Sequence, residues 1–362
     1  MFPTFIPHPL VRGGHAQTVL GCYLPGLKWS ASAKQHLVPL PDGDRLVLHD
    51  DMPDSQAWHD GDRVVLLVHG LGGCHQSTYM QRTAAKLVGK GVRVFRMDLR
   101  DCGAGTGLAR LPVHAGRSED VGAALLHVME CCPDSPVFLV GFSMGANHVL
   151  KLLGELGSQR PANLAGAMAV APPIDLVACA RNMEMGLNTL YNRKFLRGLL
   201  RAAAVRSQRV PKEFAPPLHP LPRHMREFDH RFTAPLGGFA SAEDYYERSG
   251  AGPTLRNIAV PTIIIAAADD PIVPVKPFET ASYSSMTQLV ITPSGGHLGF
   301  FGTAGTDPDR RWLDWRIVEW ATTSPVPRCR DSLATSDIHW DIPPLESSLT
   351  SSPTSSSAAA GR

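Results

Sequence analysis

The sequence predicts an α/β chain: a mostly parallel central sheet with an antiparallel N-terminal edge, helices on both faces, and a helical insertion after the sixth strand. Three observations predict it. Short, almost wholly apolar strands alternate with amphipathic helical stretches, the pattern of a parallel sheet covered on both sides. That alternation stops over residues 175–258, where no convincing strand occurs, and resumes at Thr262. Lastly, VFLVGFSMGANHVLKLL at 137–153 joins an apolar strand to a helical run through Gly141-Phe142-Ser143-Met144-Gly145.

Each element follows from local chemistry. After an irregular N-terminal arm, His36–Leu40 and Arg45–His49 flank Pro41-Asp42-Gly43-Asp44, which reads as a hairpin turn. Val64–Val68 is a buried strand, followed by His69-Gly70-Leu71-Gly72-Gly73, a helix over Thr78–Val88 and a strand over Val92–Met97. Ser118 suits the start of a helix that runs to Cys131, and Val137–Phe142 and Met144–Leu156 are strand and helix. Leu164–Val170 is the sixth strand. In the insertion, Leu187, Leu190, Tyr191, Phe195 and Leu199 mark a helix over Gly186–Val205. Thr262–Ala268 and Gln288–Thr292 complete the sheet, and a helix over Asp309–Ala321 closes the fold. These divisions give an arm over 1–35, core over 36–174, a helical cap over 175–258, more core over 259–325, and a tail over 326–362. Serine-rich and poor in large apolar residues, the tail is expected to be disordered from about 346.

Composition narrows the function. A chain of 362 residues, 43% hydrophobic and 19% charged, has the make-up of a globular protein with a large core. A formal charge of +2 gives no electrostatic case for a nucleic-acid partner. The apolar runs are too short to span a bilayer, and the proline-broken N-terminus lacks a secretory signal pattern. Seven cysteines without a C-x-x-C pair favour reduced thiols and a cytoplasmic location.

Chemistry gathers where strands end. Ser143, Asp270 and His297 each follow a separate strand and come in the order Ser, Asp, His. A serine hydroxyl needs an imidazole to take its proton, and the imidazole needs a carboxylate to fix its tautomer. Ser143 is therefore the expected nucleophile, His297 the base and then acid, and Asp270 the orienting acid, with Asp269 the alternative. The bland alternative for Ser143 is a helix cap. His69 precedes the nucleophile and reads as structural, while the backbone N–H groups of Leu71 and Met144 are the expected oxyanion donors. Despite His15, His69, His75 and His148, no H-E-x-x-H or other ligand spacing occurs, so no metal site is expected; no nucleotide-binding loop appears either, so no cofactor is expected. His224 and Asp229 match H-x-x-x-x-D, a pattern sometimes tied to acyl transfer, as one chance match among 15 histidines.

These residues resemble the AB hydrolase 4 family of the α/β-hydrolase fold superfamily, the YheT-like esterases. The matching stretches are Gly14-His15-Ala16-Gln17-Thr18, Val68–Gly73, Arg96-Met97-Asp98-Leu99-Arg100 and Gly141–Asn147. Further on come Phe228-Asp229 with Thr233, Asp244-Tyr245-Tyr246, Asp269-Asp270-Pro271 and Gly295–Phe300. The resemblance implies a serine carboxylesterase that needs no cofactor and acts on a small-molecule or lipid ester. The alternatives are an alcohol O-acyltransferase using the same acyl-enzyme, and a non-catalytic ligand-binding relative. Asp101 stands where the family usually has glycine, and Ala146 replaces another common glycine. Lys and Arg outnumber Asp and Glu between Arg181 and Arg231, so weak peripheral contact with anionic membrane is a further expectation.

Overall fold

The computed structural model describes residues 2–24, 33–54, 56–215 and 219–326. The tail expected to be disordered lies outside them. Eight strands form one sheet in the order β1-β2-β4-β3-β5-β6-β7-β8. They are β1 (Lys34–Pro39), β2 (Arg45–Asp51), β3 (Val64–Val68), β4 (Arg93–Asp98), β5 (Val137–Phe142), β6 (Leu164–Val170), β7 (Thr262–Ala267) and β8 (Thr287–Thr292). β2 runs antiparallel to both β1 and β4, and every other pairing is parallel. The antiparallel edge and parallel interior are those the sequence predicts.

Alternate side chains of one strand enter two different cores. Val64, Leu66 and Val68 of β3 pack toward α3 (Ser118–Cys131) and α4 (Met144–Leu156). Val65 and Leu67 pack toward α2 (Thr78–Val88) and α11 (Trp312–Thr323). All five are fully buried, which is why the strand carries no polar residue. The order reverses at β3, between β4 and β5, so the loops after β3 and β5 meet at the sheet's carboxyl edge, where α/β sheets bind ligands.

The arm, read from the sequence as irregular, contains a helix. α1 (Gly14–Tyr23) packs its Gln17 and Thr18 into the domain. Between β6 and β7, among the described residues, there is no strand but a helical series: α5 (Leu176–Met183), α6 (Thr189–Arg206), α7 (Met225–Phe228), α8 (Ala234–Leu236) and α9 (Ala242–Ser249). α10 (Lys276–Thr280) follows β7. α6 seats Leu196 and Ala203 against Phe228 and Phe232, forming a small core of the insertion's own. Leu187 and Leu190, two of the apolar residues that mark this helix in the sequence, are exposed.

Several charged residues inside the fold form ion pairs. Arg96 forms a two-pronged pair with Asp51, and Arg100 reaches Asp42, Asp44 and Asp120. Burial opposes ionisation of Asp98, yet hydrogen bonds from His49 and His75 hold its carboxyl well below the usual range. The Arg96–Arg100 stretch is thus an ion-paired frame under the sheet edge. Asp101 adopts φ 58°, a backbone that explains why glycine suits the position. Its carboxylate accepts from the Gly107 N–H at 2.8 Å and pairs with buried Arg206 of α6 at 2.8 Å, so the departure ties insertion to core.

Candidate active site

The turn after β5 forces Ser143 into φ 52°, ψ −121°, a conformation that L-residues adopt only under constraint. The constraint comes from the sheet core. Ser143 N–H donates to Val170 O at 2.8 Å while its carbonyl accepts from Ala146 and Asn147, so strand and helix fold sharply about one residue. Crowding explains the small neighbour: a Cβ on Gly145 would lie 2.5 Å from Val68 O. The Ser143 side chain makes no cap bond to α4, which disposes of the helix-cap reading. It is half-buried and bonds elsewhere.

That partner is His297. Ser143 Oγ lies 2.9 Å from His297 Nε2, and His297 Nδ1 lies 2.8 Å from Asp270 Oδ2. The other Asp270 oxygen accepts the Ile272 and Val273 N–H groups at 2.8 and 3.0 Å, which fixes the carboxylate in place. Asp270 and His297 are both buried, so the path from hydroxyl to carboxylate is shielded from water except near the serine. All three sequence-predicted residues converge. Such a chain can relay a proton from a hydroxyl while holding the imidazole in one tautomer.

Asp269 has a different job. Its Oδ1 accepts the Gly296 N–H at 2.8 Å, which pins the loop that carries His297. That loop needs unusual backbone: Gly296 is at φ 57°, and Leu298 and Phe300 are at φ 61° and 43°. A Cβ on Gly296 would lie 2.7 Å from Thr18 Oγ1. The proximity reflects what the sequence reading missed. Thr18 Oγ1 accepts the His297 N–H at 2.8 Å and donates to Gly14 O at 2.7 Å. Gln17 brackets Phe301, accepting its N–H at 2.8 Å and donating to its carbonyl at 3.0 Å. The Gly14–Thr18 stretch was visible only as a family match, without a role. Here it is the support of the histidine loop.

The loop after β3 runs beside the serine. A Cβ on Gly70 would lie 3.0 Å from Ser143 Cβ, so Leu71 follows directly at the site, and Met144 opens α4 on its other side. His69 is enclosed: its Nδ1 lies 2.8 Å from Gly70 O, and its Nε2 accepts the Leu99 N–H at 3.2 Å. Burial lowers its pKa, in keeping with a neutral structural imidazole. His224 and Asp229 do not act together. His224 Nδ1 accepts the Glu227 N–H as a helix cap, whereas buried Asp229 accepts the hydroxyls of Thr233 and Tyr246, both at 2.7 Å.

Comparison with known proteins agrees with this architecture. A family model described as alpha/beta hydrolase fold matches residues 63–303. YheT of Escherichia coli (strain K12), which bears the name of an esterase, is 35% identical over 78% of this chain and 83% of its own. Phospholipase ABHD3 of Homo sapiens is 26% identical over 82% of this chain and 73% of its own. Among solved structures, the Pyrococcus furiosus esterase Pf2001 aligns with a TM-score of 0.51 at 15% identity, covering 89% of this chain and 98% of that one, a likeness of fold. The chain belongs to the α/β-hydrolase family, in its AB hydrolase 4 branch with YheT.

Proposed function

We propose that the chain is a serine hydrolase that cleaves carboxylic esters through an acyl-enzyme on Ser143. The observation that carries this reading is the unbroken path from Ser143 Oγ through the His297 ring to Asp270, with steps of 2.9 and 2.8 Å. His297 Nε2 takes the Ser143 proton as Oγ bonds to the ester carbon. Charge gathers on the carbonyl oxygen, where the backbone N–H groups of Leu71 and Met144 donate. Collapse breaks the bond to the alcohol, and His297 returns the proton to the departing oxygen. Water then repeats the sequence, releasing the acid and restoring Ser143. Throughout, Asp270 keeps the Nδ1–H toward itself and steadies the imidazolium.

The names of the relatives support a small-molecule or lipid ester as substrate. Residues 175–258 serve in this reading as a cap over the carboxyl edge of the sheet. Met185, Leu187 and Leu190 are 60%, 67% and 59% exposed on it, an apolar patch suited to weak contact with an anionic lipid surface. Among the described residues no helix is long and apolar enough to cross a membrane, and Cys74, Cys102, Cys131, Cys132 and Cys179 are free thiols, which suits the proposed cytoplasmic setting.

The test is labelling by a serine-reactive fluorophosphonate, alongside turnover of p-nitrophenyl esters of increasing chain length with and without added alcohol. The wild type should label and turn over, and Ser143→Ala should do neither. Conversion of the acyl group mainly to a new ester when alcohol is present would assign the acyltransferase alternative. An unlabelled, inactive wild type would leave the chain a ligand-binding member of its family. Preference for medium-chain over acetyl esters, with binding to anionic but not neutral vesicles at low salt, would support the interfacial cap.

A further inference from the structure

At the outermost strand β1, four strands away from β5, a second group of side chains faces a common point. We propose that His36, His127 and Cys131 form a binding site for a divalent transition-metal ion of zinc type. His36 projects from β1, the outermost strand, while His127 and Cys131 stand one turn apart near the end of α3. His36 Nδ1 and His127 Nε2 are 3.1 Å apart. Cys131 Sγ lies 3.9 Å from the first and 3.7 Å from the second. Tetrahedral zinc, with bonds of about 2.0–2.1 Å to nitrogen and about 2.3 Å to sulfur, sets its donors roughly 3.3–3.6 Å apart. The three atoms therefore need to move by only a few tenths of an ångström.

The surroundings fit as well. Each imidazole has a carboxylate near its other nitrogen, an arrangement that fixes ring orientation and makes the ligating nitrogen more basic. His36 Nε2 lies 3.3 Å from Asp50 Oδ2, and His127 Nδ1 lies 3.9 Å from Glu130 Oε2. Asp50 is itself held by Arg93, at 3.0 and 2.7 Å, so the His36 ring is set by two layers of contacts. All three donors are partly buried, which leaves a fourth position for water. Two imidazoles and a thiolate select zinc-like ions over calcium or magnesium. On binding, the Cys131 thiol loses its proton to solvent and both imidazoles present lone pairs. The ion would clip the exposed edge strand to α3. The other histidine cluster is already closed: Asp98 accepts from His49, from the His75 ring and backbone, and from the Ala104 N–H.

Sequence spacing hides this site because its third ligand stands 91 residues before His127. The experiment is titration of chelator-stripped full-length protein with Co²⁺, read by absorption and by far-UV circular dichroism to confirm folding. One equivalent should bind with the d–d bands of four-coordinate cobalt and a thiolate-to-metal charge-transfer band, and Zn²⁺ should displace it. Cys131→Ser should abolish the charge-transfer band, and His127→Gln should weaken binding by about tenfold or more. Cys132→Ser and His75→Gln should leave the spectrum unchanged. Absence of a thiolate band in the wild type, or its persistence in Cys131→Ser, would overturn the assignment.

Discussion

The two loops that meet at the site hold their residues in opposite ways. Ser143 is positioned by the sheet: β5 before it, α4 after it, and the flanking β3 and β6 on either side. His297 is positioned by residues far away, since its N–H rests on Thr18 and the preceding Gly296 N–H rests on Asp269. Both loops use positive φ, yet the first takes its constraint from the strands and helix of the sheet core and the second from the N-terminal arm. The proposed nucleophile is therefore held by the sheet core, whereas its proposed base depends on a contact made by the N-terminal arm.

The largest effect tests the carboxylate end of that contact. Asp270→Asn should lower kcat by about 10⁴, because an amide facing His297 Nδ1 favours the wrong tautomer. Asp269→Asn should be far milder, since it faces only the Gly296 N–H. Steady-state kinetics on one short p-nitrophenyl ester would decide between them. If Asp269→Asn were the more damaging change, the two roles would have to be exchanged.

Next comes the serine side. Gly145→Ala puts a Cβ 2.5 Å from Val68 O and 2.8 Å from Val68 C, backbone atoms that cannot swing aside. The Ser143 turn must shift instead, and a displacement near 1 Å costs about 10²-fold in rate. Overpacking of this kind also lowers stability by about 1–3 kcal/mol, readable by chemical denaturation. Wild-type kcat in a folded Gly145→Ala protein would show that the turn is less constrained than its contacts imply.

The histidine side is probed by Thr18→Val. The substitution keeps the shape but removes the hydroxyl from the His297 N–H, leaving a buried donor unpaired at a cost of about 1–3 kcal/mol. Part of that cost will fall on the loop's position, so kcat should drop about tenfold while KM changes little. Thr18→Ser should restore most of the rate. An unchanged kcat in Thr18→Val would mean that the histidine loop holds itself.

The same contrast explains what was legible in the sequence. β3, β5 and β6 were readable because their residues are buried on both faces and none is polar, and Ser143, Asp270 and His297 because each follows a strand. α1 was not readable as a helix: it has glycine at its start, no acidic residue in its first turn, and turns the polar Gln17 and Thr18 inward against the histidine loop it supports. Leu187 and Leu190 misled for a related reason. Apolar residues at helical spacing normally seat a helix, but α6 uses Leu196 and Ala203 for that purpose, while Leu190 on it and Leu187 in the turn before it are exposed. Asp101 gave no hint of Arg206, which lies 105 residues later.

The smallest effect on turnover lies in the insertion, where local and distant contacts meet on one carboxyl. Asp229 is bonded by Thr233, four residues on, and by Tyr246 of α9. Burial pushes its pKa up to about 6 from the ordinary 3.8, against the two hydroxyl donors that favour its ionised form. Between those pH values the folded chain binds a proton that the unfolded chain has released. Stability from this group is therefore full below about pH 4 and is lost as pH rises through about 6. The gap corresponds to at most about 3 kcal/mol, at 1.36 kcal/mol per pH unit. Asp229→Asn does not titrate, and whatever it loses in hydrogen bonding is the same at every pH. Its stability relative to wild type should accordingly rise between pH 4 and 6 and level off above, while kcat at pH 8 stays within about twofold. Denaturation of both proteins across that range reads the slope, and parallel curves would mean that Asp229 is ionised throughout, held by its two hydroxyl partners more firmly than burial opposes.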